Sequence, residues 1–229
     1  MQWVLAALLT LSGASVFTSC SNGDTPVVPP KEEYVGVPLI IMDTDIGSST
    51  DDLFTLMMLY RYQDQNRCRL IGVVVDREGE DYAACVDVMN TYYGHGDIPI
   101  GLIREGIKNP AVWINYKTLP THTDSNGNLM FQRSVVDYAS LPDGWQLYRQ
   151  LLAAQPDHSV SIVSAGFLTC LAQLLQSAPD SYSSLNGVEL VRRKVKCIYL
   201  MGGVFGDAVE SIEFNFSQGV NFVQTFFRL

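Results

Sequence analysis

Five short apolar runs rich in β-branched residues recur along this chain: PLIIM at 38–42, RLIGVVV at 69–75, IPIGLI at 98–103, SVSIVS at 159–164 and KVKCIYLM at 194–201. Stretches of helical periodicity separate several of them. DDLFTLMMLYRYQ (51–63) puts Leu53, Leu56, Met57 and Tyr60 on one face, and DYAACVDVMNTYY (81–93) and LTCLAQLLQSA (168–178) behave similarly. Strands that are apolar on both faces and alternate with helices bury themselves as a mainly parallel sheet covered on both sides. The expectation is an α/β domain built on an open parallel sheet with helices on both faces. No internal repeat is present. Residues 104–130, containing NPAVWINYKTLPTHTDSNGN, lack periodicity and read as a long loop of the kind that covers a site.

Open parallel sheets bind ligands beyond the carboxyl ends of their strands. Three unusual stretches fall there: DTDIGSSTDD (43–52), SAGFLT (164–169) and MGG (201–203). The first holds Asp43, Asp45, Asp51 and Asp52. A Thr50 cap, with two acids at the positive end of a helix dipole, accounts for Asp51 and Asp52. It leaves Asp43 and Asp45 at a strand end, where crowded carboxylates need either a cation among them or pKa values driven far apart. A hard cation with oxygen ligands, Ca²⁺ or a more hydrated Mg²⁺, satisfies the whole cluster.

A net charge of −9 repels a nucleic acid polymer and favours small ligands and cations as partners. The opening MQWVLAALLTLSGASVFTSC resembles a bacterial lipoprotein signal: an apolar stretch from Trp3 to Leu11, then small residues, then Cys20. Residues 1–19 are expected to be that signal peptide, 20–36 a Pro-rich tether beginning at a lipidated Cys20, and 37–229 the folded domain. The protein is then exported and held on a bacterial membrane, periplasmic or at the cell surface, through lipid alone. An ordinary cleaved signal with an incidental cysteine is the alternative. Cys68, Cys85, Cys170 and Cys197 lie in or beside apolar segments and read as buried thiols whose pairing the sequence does not fix.

DTDIGSSTDD resembles the signature of the nucleoside hydrolases of the inosine/uridine-preferring type, which cleave the N-ribosidic bond of nucleosides. SAGFLTCLAQLL is similar to the family's stretch in which a glycine and "LTN" open a helix, and MGGVFGDAVESIEFN to its MGG loop followed by EFN. The likeness covers about 38–229 and implies a nucleoside hydrolase-like, Rossmann-like fold acting with Ca²⁺ on nucleosides or related ribosides. By resemblance, Asp45 ligates calcium and activates the attacking water, Asp52 and the carbonyl of Ala165 are further ligands, and Asp51, Glu213 and Asn215 contact ribose. Met201 matches the sugar pocket, and Asp207 stands where a ribose-binding asparagine is common.

The chain departs from the family pattern in several places. SST adds two residues between Gly47 and Asp51, Asp76 is nearest to the usual asparagine after the second strand, and QTFFRL ends before the family's late histidine and aspartate. The domain is therefore expected to lack its C-terminal part. His122, in the long loop, is the candidate to reach a nucleobase, and His95 and His158 read as turn and surface residues. Trp113, Tyr116 and Phe167 are candidates to stack on a base or to fill the core. A non-catalytic nucleoside or sugar binder is the main alternative. A phosphatase of the haloacid dehalogenase kind is a third, although Gly47 replaces the Thr or Val expected there. Base preference and any homo-oligomer stay open.

Overall fold

The computed structural model describes residues 36–108, 116, 118–204 and 213–228. Five strands, β1 (Leu39–Thr44), β2 (Arg69–Arg77), β3 (Ile100–Ile107), β4 (Val160–Ser164) and β5 (Val195–Leu200), form one all-parallel sheet in the order β3-β2-β1-β4-β5. Strand side chains alternate between the two faces. Met42, Val73 and Val75 pack with Leu56 and Tyr60 of α1 (Asp51–Asp64) and with Ala83 and Val86 of α2 (Glu80–Tyr92). Ile41, Val74 and Ile162 pack on the opposite face with Leu147 of α3 (Gly144–Ala153), Leu171 of α4 (Thr169–Gln176) and Leu190 of α5 (Gly187–Lys194). The α/β class with helices on both faces is the architecture the alternating pattern requires. Two short helices, α6 (Phe214–Gln218) and α7 (Val220–Arg228), close the described chain.

The strand order reverses between β1 and β4. The chain runs outward through β2 and β3, then crosses back through α3 to lay β4 on the other edge of β1, in register from Leu39↔Val160 to Asp43↔Ser164. Adjacent loops leave these two strand ends in opposite directions, which opens a crevice there. Asp45 sits at one lip of it, Ala165 and Gly166 at the other.

Several local expectations need correction. Met57 is 37% exposed, and Leu59 fills the buried face of α1 with Leu56 and Tyr60. Thr50 takes the cap position of α1, but its side chain makes no capping bond. The long loop starts later than expected because β3 continues to Ile107. Helices α3, α5, α6 and α7 extend the pattern beyond the three helical stretches legible by periodicity. Cys68, Cys85 and Cys170 are buried free thiols, and Cys197 is only partly buried. His95 is not simply a turn residue: its buried ring stacks on Tyr60, with Nδ1 3.1 Å from Gln63 Nε2. Among the described residues, no helix is long and apolar enough to cross a membrane.

Candidate functional site

Burial makes the acid cluster unusual. Asp43, Asp45, Asp52 and Asp76 are 0%, 6%, 1% and 0% exposed, gathered from β1, the turn after it, the first turn of α1 and the end of β2. A carboxylate withdrawn from water favours its neutral form unless donors or a cation compensate. The cluster divides into two parts according to what compensates it.

In the inner part, Asp43 accepts a hydrogen bond from the Tyr148 hydroxyl of α3 at 2.8 Å, while its second oxygen has no ordinary donor. Asp76 stands beside it with neither oxygen matched to a donor. Burial, then the charge of Asp43, pushes the Asp76 carboxyl well above the usual range. A protonated Asp76 supplies the missing donor. Burial raises Asp43 to about 6, and the hydrogen bonds from Asp76 and Tyr148 restrain it. Both carboxyls are fully buried at the carboxyl ends of β1 and β2, where Tyr148 is the donor to Asp43. Gly166 is required by the same crowding: a Cβ there would meet the Asp45 amide nitrogen at 2.3 Å and Asp76 Oδ2 at 2.7 Å.

The outer part faces the crevice. Asp52 accepts from the Thr44 hydroxyl at 2.5 Å, and burial, then the charge of Asp45, lifts its pKa to about 8. Asp45 is raised by burial and held back by Arg77, whose Nη2 donates to Asp45 Oδ2 at 2.9 Å and to Ser48 Oγ at 3.1 Å. Arg77 itself is fully buried, its Cζ 5.2 Å from the Tyr82 ring centroid and 5.5 Å from that of Phe167. Sequence reasoning missed this residue. The available signal was a basic residue directly after VVVD, at the end of an apolar run.

Asp51 lies on the exposed side of α1 and accepts from Ser49 Oγ, so the longer SST turn sends Asp51 outward and Asp52 inward. The carbonyl of Ala165 reaches the site and accepts from Asn215 Nδ2 at 3.1 Å. The same amide group also donates to the Met201 carbonyl at 3.3 Å. Asn215 thereby ties α6 to the ends of β4 and β5. Glu213 accepts from the backbone N–H groups of Asn215 and Phe216, which makes it the cap of α6. Met201 is 49% exposed beyond β5. Tyr116 pins the aspartate turn by donating to the Ser49 carbonyl at 2.5 Å. His122 is exposed, its ring Nδ1 3.1 Å from the carbonyl of Thr118 in its own loop, and it makes no hydrogen bond to the acid cluster. Cys20, Trp113 and Asp207 lie outside the described residues.

The expected calcium ligands do not fit a divalent ion as they stand. Asp45 is engaged by a guanidinium, Asp52 by Thr44, and the Ala165 carbonyl by Asn215. Among the described residues no group of three or more His, Cys, Asp or Glu side chains has metal-holding geometry. What the arrangement offers chemically is a pair of partly desolvated carboxylates, one paired with a fixed cation, beside backbone carbonyls and an amide at a switch-point crevice.

The sequence pattern of the family described as inosine-uridine preferring nucleoside hydrolase matches residues 40–220. No curated protein sequence matches the chain. Among solved structures, the type III effector protein XopQ complexed with adenosine diphosphate ribose superposes with a TM-score of 0.60 at 19% identity, over 84% of this chain and 52% of that one. A plant nucleoside hydrolase gives 0.51 at 17% identity, over 73% of this chain and 48% of that one. The purine-preferring ribonucleoside hydrolase from Gardnerella vaginalis gives 0.54 at 17% identity, over 83% of this chain and 57% of that one. The chain thus spans about half the length of these solved structures.

Proposed function

Since this chain belongs to the inosine-uridine preferring nucleoside hydrolase family, we propose that it hydrolyses the N-ribosidic bond of nucleosides or related ribosides at the β1–β4 crevice. The observation that carries the reading is the convergence of Asp45, Asp52, Ala165 and Asn215 on that crevice from the turn after β1, the first turn of α1, the loop after β4, and α6. In the reaction the oxygen of a water bonds to the anomeric carbon while one of its protons passes to Asp45; the bond from that carbon to the base nitrogen breaks, the nitrogen keeps the electron pair and takes a proton from solvent, and Asp45 returns its own proton to solvent. Burial supports this role, because it makes the carboxylate a stronger base than one in water. Asp52 and the Ala165 carbonyl offer acceptors for ribose hydroxyls as an oxocarbenium-like sugar develops. Asp51, Met201 and Glu213 flank the crevice and are proposed to contact the sugar less directly, and His122 would have to arrive with its loop. Calcium is not carried into this scheme, because among the described residues no group of three or more His, Cys, Asp or Glu side chains is placed to hold it, and Asp45 is paired with the Arg77 guanidinium.

Ribose release from a panel of nucleosides tests the proposal. Asp45→Asn preserves shape and removes the base, so turnover should fall by at least ~100-fold while nucleoside affinity changes far less. Equal losses in turnover and affinity would assign Asp45 to binding alone.

The Asp45–Arg77 ion pair favours a second reading, a nucleoside or sugar binder without chemistry, since a guanidinium on the base opposes proton uptake. Binding of ribosides by the wild type with no ribose released from any of them would establish it. Export and lipid attachment at Cys20 complete the proposal. They rest on the apolar run Trp3–Leu11 followed by small residues.

A further inference from the structure

Arg77 uses only part of its donor set within the protein. Nη2 serves Asp45 and Ser48, whereas Nε and Nη1 have no hydrogen-bond partner among the described residues although the side chain is fully buried. Ordinary structural arginines in this fold behave differently. The equally buried Arg149 directs Nε, Nη1 and Nη2 to Asp180, Ser177 and the carbonyls of Ser183 and Leu185. Arg77 is instead kept in place by two aromatic faces, Tyr82 and Phe167, which attract a cation electrostatically without satisfying its N–H groups. Its side chain is fully buried, and its charge lies against the Asp45 carboxylate.

The geometry points to Arg77 as the resident cation of the site, a fixed guanidinium that takes over the neutralisation of Asp45 which a divalent ion would otherwise supply. Two physical differences follow. A guanidinium stays charged at any ordinary pH and is not displaced by chelators, so ligand binding at the crevice is independent of added metal. A guanidinium also has no open coordination position and acidifies no bound water, so Asp45 alone must activate the nucleophile. The part concerning ligands rests on the proposed ribosyl site. The part concerning the cation does not.

The test is calorimetric titration of Ca²⁺ into the wild-type chain, Arg77→Lys and Arg77→Asn. The wild type and Arg77→Lys keep the charge and should bind Ca²⁺ no tighter than ~1 mM. Arg77→Asn frees Asp45 and should bind at least ~10-fold tighter, a gain that Asp52→Ala then abolishes. A wild-type affinity equal to or tighter than that of Arg77→Asn overturns the assignment. If circular dichroism shows Arg77→Asn unfolded, the wild type decides: micromolar Ca²⁺ binding overturns the proposal, and binding no tighter than ~1 mM sustains it. Ribose and adenosine diphosphate ribose are titrated separately in EDTA and in Ca²⁺. Equal affinity in both supports the resident cation, and a requirement for Ca²⁺ overturns it. If neither ligand binds under either condition, the ribosyl reading fails, while the Ca²⁺ series still decides the role of Arg77.

Discussion

Asp87 in α2 is fully buried, yet its pKa lies below the usual carboxylate range. Burial alone would raise it. Hydrogen bonds from the Ser134 hydroxyl, the Tyr138 hydroxyl and the backbone N–H groups of Val135 and Ser134 more than reverse that effect. A carboxylate lowered on folding stabilises the native state above its unfolded pKa of ~4 and loses that contribution as pH falls through its folded value. Asp87→Asn should therefore cost about 2 kcal/mol at neutral pH, with the gap to wild type narrowing below pH ~4 in urea melts. A constant gap across that range would show that shape, not charge, holds the loop. At this scale the sequence revealed Asp43, Asp45 and Asp52, because crowded carboxylates demand an explanation wherever they fold. It concealed Arg77 and Asp87: a single charged residue in a helix or at a strand end normally faces water, and only the third dimension shows what surrounds it.

Elements were legible in proportion to how regular their patterns are. The strands β1, β2, β4 and β5 stand within about two residues of the apolar runs; for β1, β2 and β4 burial on both faces leaves little choice of residue type, whereas the edge strand β5 keeps Lys196 and Tyr199 exposed. Helix α3 escaped notice although Asp143 and Gln146 form a capping box at its start, since Gly144 and the buried Arg149 interrupt its apolar stripe. That arginine has an architectural role. It links α3 to the connection between α4 and α5 through Asp180 and the Ser183 and Leu185 carbonyls. Arg149→Met fits a similar volume but leaves those acceptors without a donor, and it should lower stability by about 3 kcal/mol. Hydrogen exchange should show the loss concentrated in residues 177–186. A uniform loss of protection would mean that the connection has no stability of its own.

For the molecule as a whole, the sheet order was beyond periodicity, which reveals strands but not their neighbours. The site was legible because any doubly wound sheet collects ligands at one end. That β1 and β4 would be the lips of the crevice had to come from the structure. The same order has a consequence in time. β1 is made first and stands at the centre, and its second neighbour, β4, begins at Val160, paired with Leu39. At ~5–20 residues per second, synthesis separates these partners by roughly 6 to 24 s. Throughout that interval one side of the central strand offers bare amide and carbonyl groups beside a buried acid, a template for any passing strand. Ribosome-bound chains with residues up to 150 emerged should be digested rapidly within residues 38–45. Chains emerged past 200 should resist, and resistance in the shorter chains would mean that another segment guards β1 until its partner arrives.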